Sequence, residues 1–263
     1  MIEKYVFVTG ACVNTGAAIV KKFASEGKNV IFTGRDCSRV DAAKIAYVSE
    51  FPEVKIKGEC LNALDENGAT DEAAVKKLFE KFDEENIIVT DLVLNAADLG
   101  VNFDPLESPF SDFQRVINTN LCWNFCIIRS AARRMAKSGG GSITFINSNT
   151  AYRAIPERAS YSASKGGQLG LMRALALDLG KYNIRVNAVL PGMIHTDRTD
   201  KNPGVYKNVP SAFSPLGTIA EGSDIADAVW YFAAHAKNTT GAELVVDCGN
   251  MVQLYPVIPE KNN

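Results

Sequence analysis

The chain has 263 residues, of which 46% are hydrophobic and 22% charged, and its net charge is −2. That is room for one α/β domain, or two small ones, around a substantial core. The charge excludes the basic footprint of a nucleic-acid binder, and no apolar run reaches the length of a membrane span. Met1 leads directly into a probable strand with no signal-peptide pattern, so a cytoplasmic protein with neither nucleic-acid nor membrane partner is expected.

The chain alternates between two periodicities. Lys4–Thr9 reads as a buried strand and Thr15–Glu26 as a helix with Ile19, Val20 and Phe23 on one side. Asn29–Thr33 is a second strand, and Ser38 is a plausible N-cap for a helix to about Ser49. Glu53–Glu59 alternates as a third strand, a polar insertion covers roughly residues 62–68, and Asp71–Glu85 is an amphipathic helix. Asp91–Leu94 reads as a short fourth strand. Asp112 to about Lys137 predicts two consecutive helices, the second containing Asn120–Met135, stopped by three glycines at 139–141.

Ser142–Ile146 is a fifth strand, about Ser160–Leu179 a helix, and Arg185–Leu190 a sixth strand ended by Pro191-Gly192. Residues 193–220 carry three prolines and no clear period, which suits a lid. Ser223 is expected to cap a helix to about Ala234, before a seventh strand at Glu243–Asp247. A tail at 250–263 with Pro256 and Pro259 is expected to be extended and to pack on a neighbouring subunit. Strands alternating with helices predict one domain, a doubly wound, seven-stranded parallel sheet covered on both faces, with its ligands beyond the carboxyl ends of the strands. Thr9-Gly10, Asn95, Ser148 and Pro191-Gly192 all fall at such ends.

The six cysteines, Cys12, Cys37, Cys60, Cys122, Cys126 and Cys248, are scattered. Cys122 and Cys126 share a helix face, but His195 and His235 are distant and unpaired. Buried free thiols are expected rather than a metal site.

Two stretches carry chemistry. After the first strand, Gly10, Asn14, Thr15 and Gly16 form a glycine-bearing turn that opens a helix. Its backbone N–H groups and dipole suit a pyrophosphate. Asn14 stands where a middle glycine is common, and Asn tolerates left-handed backbone angles. The second strand ends Gly34-Arg35-Asp36. Arg35 could meet a 2′-phosphate, which favours NADP(H), while Asp36 could reach a ribose and keeps NAD(H) open.

Farther on, Tyr161 and Lys165 lie four apart on one helix face, with Ser148 at the end of the fifth strand. An ammonium near a phenol favours phenolate and fits the phenol to exchange a proton with an alcohol or carbonyl oxygen.

Together these pieces resemble the short-chain dehydrogenase/reductase family in its single-domain form, from about Lys4 to Gly249. The matching features are the Thr9–Gly16 loop, Asn95-Ala96-Ala97, Asn120, Ser148, Tyr161/Lys165, Asn187-Ala188-Val189, Pro191-Gly192 with Thr196, and Val246-Asp247-Cys248-Gly249. The resemblance implies an NAD(P)(H)-dependent alcohol dehydrogenase or ketone reductase. Tyr161 would be the general acid/base and Ser148 would steady the substrate oxygen. Lys165 would bind the nicotinamide ribose and depress the Tyr161 pKa, and Asn120 would hold a water linking Lys165 to solvent.

On the cofactor side, Asn95 and Ala96 would flank the adenosine, with Asn62 a candidate adenine contact. Pro191, Gly192, Ile194 and Thr196 would line the carboxamide and pyrophosphate. Three departures stand out: Asn14, Ala97 in place of a glycine, and Cys60-Leu61-Asn62 in place of an adenine-contacting Asp. The lid residues Val205, Tyr206, Val209 and Phe213 and the tail residues Leu254, Tyr255 and Val257 favour a hydrophobic, hydroxysteroid-like alcohol or ketone. An acyl-chain 3-ketone reductase or a catalytically silent dinucleotide sensor are the alternatives. A homotetramer or homodimer is implied by the resemblance.

Overall fold

The computed structural model describes residues 2–201 and 212–256. Val205, Tyr206, Val209, Val257 and Pro259 therefore lie outside the described residues. Seven parallel strands form one sheet in the order β3-β2-β1-β4-β5-β6-β7. They are β1 (Glu3–Val8), β2 (Val30–Gly34), β3 (Ile56–Cys60), β4 (Ile87–Leu94), β5 (Gly141–Ile146), β6 (Ile184–Pro191) and β7 (Glu243–Val246). The first three run outward from β1 in one direction and the rest in the other. The crevice between β1 and β4 is thus the point where a doubly wound sheet binds its ligand.

The alternation of side chains along each strand feeds two cores. In β1, Tyr5 and Phe7 face one side, and Val6 and Val8 the other. On the first side pack α3 (Glu72–Glu84), α5 (Trp123–Met135) and α6 (Ala159–Leu179), with Phe79 and Phe82 meeting the Phe7 ring edge-on at 5.9 and 5.7 Å. On the second pack α1 (Asn14–Ser25), α2 (Cys37–Glu50) and α8 (Gly222–Trp230). The short helices α4 (Phe110–Ile117) and α7 (Asp197–Lys201) border the carboxyl edge.

Four expectations are corrected. Strand β4 starts at Ile87 because Ile87 and Val89 are buried and pair with Glu3 and Tyr5 of β1. Asp36, not Ser38, caps α2: its carboxylate accepts the Arg39 N–H at 3.2 Å and the Ser38 hydroxyl at 2.6 Å. Likewise Glu221, not Ser223, opens α8, in a reciprocal capping box with Asp224.

The fourth concerns the cysteines. Cys37 and Cys60 are joined in a disulfide, not free. Parallel pairing sets Gly34 opposite Cys60, so the first residue of α2 falls beside the last of β3, with Cα atoms 5.1 Å apart. The other four cysteines are free thiols, and no metal-binding cluster occurs among the described residues.

The tail packs on its own chain as far as it is described. Arg153 donates to the carbonyls of Asn250 at 2.6 Å and Gln253 at 2.6 Å, and Asn149 donates to the Asn250 side chain at 3.0 Å. Asn250 and Gln253 in turn donate to the carbonyls of Phe213 and Ala212. The tail thus clasps the end of the 193–220 segment to the loop after β5.

Candidate active site

The turn after β1 is shaped for close approach. Gly10 has φ +64°, and a Cβ there would lie 2.7 Å from the Ala96 Cα. One on Gly16 would lie 2.6 Å from the Ala11 Cα. Asn14 adopts φ +51°, which its short polar side chain tolerates, and its Oδ1 accepts the Asp197 N–H of α7 at 3.2 Å. The asparagine thus ties the loop to the start of α7.

Helix α1 starts without a side-chain cap, at Val13, whereas α2 and α3 are capped by Asp36 and Asp71. Its first N–H groups are therefore available to an anion at the β1–β4 crevice. Asn95 holds the turn from below. Its amide donates to the carbonyls of Thr9 at 3.1 Å and Gly10 at 2.7 Å, while Thr9 Oγ1 accepts from the backbone of Asn95 and Ala96.

At the adenosine edge, Arg35 is exposed and makes no ion pair among the described residues. The Asp36 carboxylate is occupied by its cap. Asn62 is exposed just past β3, its Oδ1 accepting the Ala63 N–H. On the other side of the crevice, Gly192 lies against Asp247, Ile194 bridges to Ala220, and the Thr196 N–H bonds Thr199 Oγ1 at 2.9 Å.

The second stretch converges at the carboxyl end of β5. Ser148, only 9% exposed, caps a short 3-10 turn, where its hydroxyl accepts the Thr150 N–H at 3.2 Å. Tyr161 and Lys165 lie on the inner face of α6, with the Lys165 ammonium over the Tyr161 ring, 5.6 Å from its centroid. Burial pushes the Tyr161 phenol up from its ordinary range. A hydrogen bond with Ser148 and the charge of Arg158 draw it back down. Ser148 and Arg158 thus favour the Tyr161 phenolate, beside the ammonium to which the resemblance gives that role. Lys165 is buried and points to the end of β5, donating to the Ile146 carbonyl at 2.8 Å and to Gln168 Oε1 at 3.3 Å. Burial lowers its pKa to about 7.

Asn120 sits in a π-helical turn (Asn118–Cys122) between α4 and α5 and is fully buried. Its side chain clasps Asp98, donating to the carbonyl at 2.8 Å and accepting the N–H at 2.7 Å, and also donates to Ser164 Oγ at 2.9 Å. The backbone carbonyl of Asn120 is also engaged. That carbonyl accepts from Asn124 Nδ2 at 2.8 Å and Gln168 Nε2 at 2.6 Å.

The polar insertion supports this turn from outside. Asp65 Oδ1 accepts two backbone N–H groups, from Asn67 and Ala69, closing a loop whose Thr70 hydroxyl and Gly68 carbonyl bond to Asn118. Asn147, Arg158 and Gln168 were missed by motif reasoning. Gln168 had a signal: it is a polar residue one turn beyond Lys165 on the same helix face.

Beside this group, a mostly apolar cleft of about 370 Å³ is lined by Val101, Phe103, Pro109, Phe110, Phe113 and Ser160, among others. Ser160 connects it to Tyr161 in sequence, while neither Tyr161 nor Ser148 lines it.

Residues 10–250 match the family described as Enoyl-(Acyl carrier protein) reductase. The chain is 33% identical over 246 residues to a 3alpha-hydroxysteroid dehydrogenase of Mediterraneibacter gnavus, covering 93% of this chain and 96% of the relative. It is also 33% identical to an NADP-dependent (R)-specific alcohol dehydrogenase of Lentilactobacillus kefiri, covering 95% and 97%. A solved structure described as a putative gluconate dehydrogenase from Agrobacterium tumefaciens superposes with a TM-score of 0.87 at 27% identity, covering 96% of this chain and 97% of that one.

Proposed function

We propose a reaction for this chain on the premise that it belongs to the short-chain dehydrogenase/reductase family, as the match over residues 10–250 establishes. It is an oxidoreductase that interconverts a secondary alcohol and a ketone. The observation that carries the mechanism is the convergence of Ser148, Tyr161 and Lys165 at the end of β5, with the buried Lys165 ammonium 5.6 Å from the centre of the Tyr161 ring.

The tight, uncapped turn at Gly10, Asn14, Thr15 and Gly16 fits a dinucleotide pyrophosphate. Asn62, Asn95 and Ala96 would flank the adenosine, and Pro191, Gly192, Ile194 and Thr196 the nicotinamide end. When bound, the nicotinamide supplies or accepts the hydride. Ser148 donates a hydrogen bond to the substrate oxygen and steadies the charge that develops there. Tyr161 gives that oxygen a proton in reduction and removes one in oxidation. The Lys165 ammonium holds the ribose side of the site.

NADP(H) is favoured, because Arg35 is free to meet a 2′-phosphate while Asp36 is engaged in capping α2. Titration with NADPH and NADH tests this. Arg35→Ala should weaken NADPH by about ten- to a hundredfold, the worth of a charge-assisted contact, and leave NADH unchanged. An equal effect on both cofactors would refute the assignment.

The substrate we favour is a hydrophobic, hydroxysteroid-like ketone or alcohol, given the apolar cleft and the exposed Phe213 and Leu254. The family description favours a second reading, an acyl-chain 3-ketone reductase, which carrier-linked substrates set against free ketones would separate. Exposed apolar side chains on α5 and α6, Phe125 and Leu177, support a homotetramer or homodimer. We propose a cytoplasmic setting on the four free thiols, with the Cys37–Cys60 disulfide the feature set against it.

A further inference from the structure

Gln168 is 1% exposed, and every bond of its side-chain amide runs to the residues around Lys165. Its Oε1 accepts from the Lys165 ammonium at 3.3 Å and from Asn147 Nδ2 at 3.1 Å, while its Nε2 donates to the Asn120 carbonyl at 2.6 Å. Asn147 closes the ring, donating also to the Lys165 carbonyl at 2.9 Å and accepting the N–H of Ser148 at 2.8 Å.

A carbonyl oxygen has two lone pairs. At Asn120 both are taken by side-chain amides, those of Asn124 and Gln168. Lys165 is thus joined to Asn120 through the Gln168 amide.

We infer that Gln168 is a positioning residue for the reaction: its amide fixes the Lys165 ammonium and ties it to the Asn120 carbonyl. This rests on the proposed role of Lys165 behind Tyr161. Lys165 is surrounded by few groups able to stabilise its charge. The Ile146 carbonyl faces it from β5, the Gln168 oxygen and the Tyr161 ring from α6, and no carboxylate contacts it among the described residues. Arg158, at the start of α6, is the charged group that acts on Tyr161. Burial is what lowers the Lys165 pKa. In so dry a site one acceptor weighs heavily, because a hydrogen bond to the charged form directly favours it.

The test reads Lys165 itself in the cofactor-free protein, by NMR titration of lysines labelled with carbon-13 at Cε. In the wild-type protein one lysine should titrate near neutrality, and Lys165→Met assigns it. Gln168→Met, of similar length but with no acceptor, should move that titration lower by about one pH unit. Gln168→Glu keeps an acceptor and adds a charge, and should move it higher. With NADPH and acetophenone or 3-ketosteroid probes, the pH dependence of kcat should follow the same two directions, with the KM for the ketone little changed.

An unmoved Lys165 titration in both Gln168 variants would overturn the role of Gln168 and leave the reaction intact. Full turnover by Tyr161→Phe would instead refute the reaction. If Gln168→Met fails to fold, Gln168→Glu still decides: a titration unchanged from the wild-type protein contradicts the proposal.

Discussion

In the proposed reaction Ser148, Tyr161 and Lys165 divide one task, and Ser148 and Arg158 join the ammonium in acting on the Tyr161 phenol. Spacing alone put Lys165 beside Tyr161. It could not show that the ammonium turns toward the Ile146 carbonyl and that burial raises the phenol, because both depend on what lies above α6. Ser148 and Arg158 are the groups that lower the Tyr161 pKa. Ser148→Ala should therefore reduce kcat by about 10²-fold, through loss of an oxyanion donor. In the oxidative direction it should also move the acidic limb of the rate profile, where the rate rises with pH, to higher pH, since the phenol loses a partner that favours its ionised form. Arg158→Met should give the second effect without the first. Steady-state rates across pH 6–10 with a fixed alcohol would check both. A limb that moves downward in either variant would contradict the assignment.

At the scale of elements, the strands and helices were legible because hydrophobic periodicity sets them, and the ends were less so because capping depends on which side chain turns inward. Asp36 and Glu221 each took a cap that a downstream serine seemed to offer. The Cys37–Cys60 bond was not legible, since it needs the β2–β3 register. It closes a separation of 23 residues beside Arg35. Cys60→Ser should cost about 2–4 kcal/mol in urea unfolding, and a midpoint equal to that of the untreated protein would show the bond does not form in solution.

Helix α7 depends on His195, whose ring bonds Asp200 at 2.5 Å and Glu221 at 3.2 Å. Those carboxylates raise its pKa, Asp200 most. A raised histidine contributes fully below its unfolded value of about 6.5 and is lost as pH rises through the higher folded value. Amide exchange in Asp197–Lys201, corrected for its intrinsic pH dependence, should therefore accelerate above that window. In His195→Gln it should be fast throughout, and a flat wild-type profile would refute the link.

On the scale of the whole molecule, the sheet order explains why residues from the first and second halves of the chain meet. The crevice between β1 and β4 receives the Gly10 turn, and the next strand, β5, carries Ser148. That arrangement followed from βαβ alternation and right-handed crossovers, so the site's location was readable before its contacts were. The tail was not readable: it was expected to be extended, yet it begins with a 3-10 turn at Asn250–Val252, and its direction depends on contacts distant in sequence. Its anchorage on Arg153 joins the lid segment and the loop after Ser148 into one wall.

The central claim is that Tyr161 moves the proton while the rest of this frame holds the reactants. Single-turnover oxidation of NADPH by a reactive ketone, followed in Tyr161→Phe beside the wild-type protein, tests it most directly. The account predicts a loss of about 10²–10⁴-fold in the hydride step with NADPH affinity unchanged. An undiminished rate in the variant would contradict it.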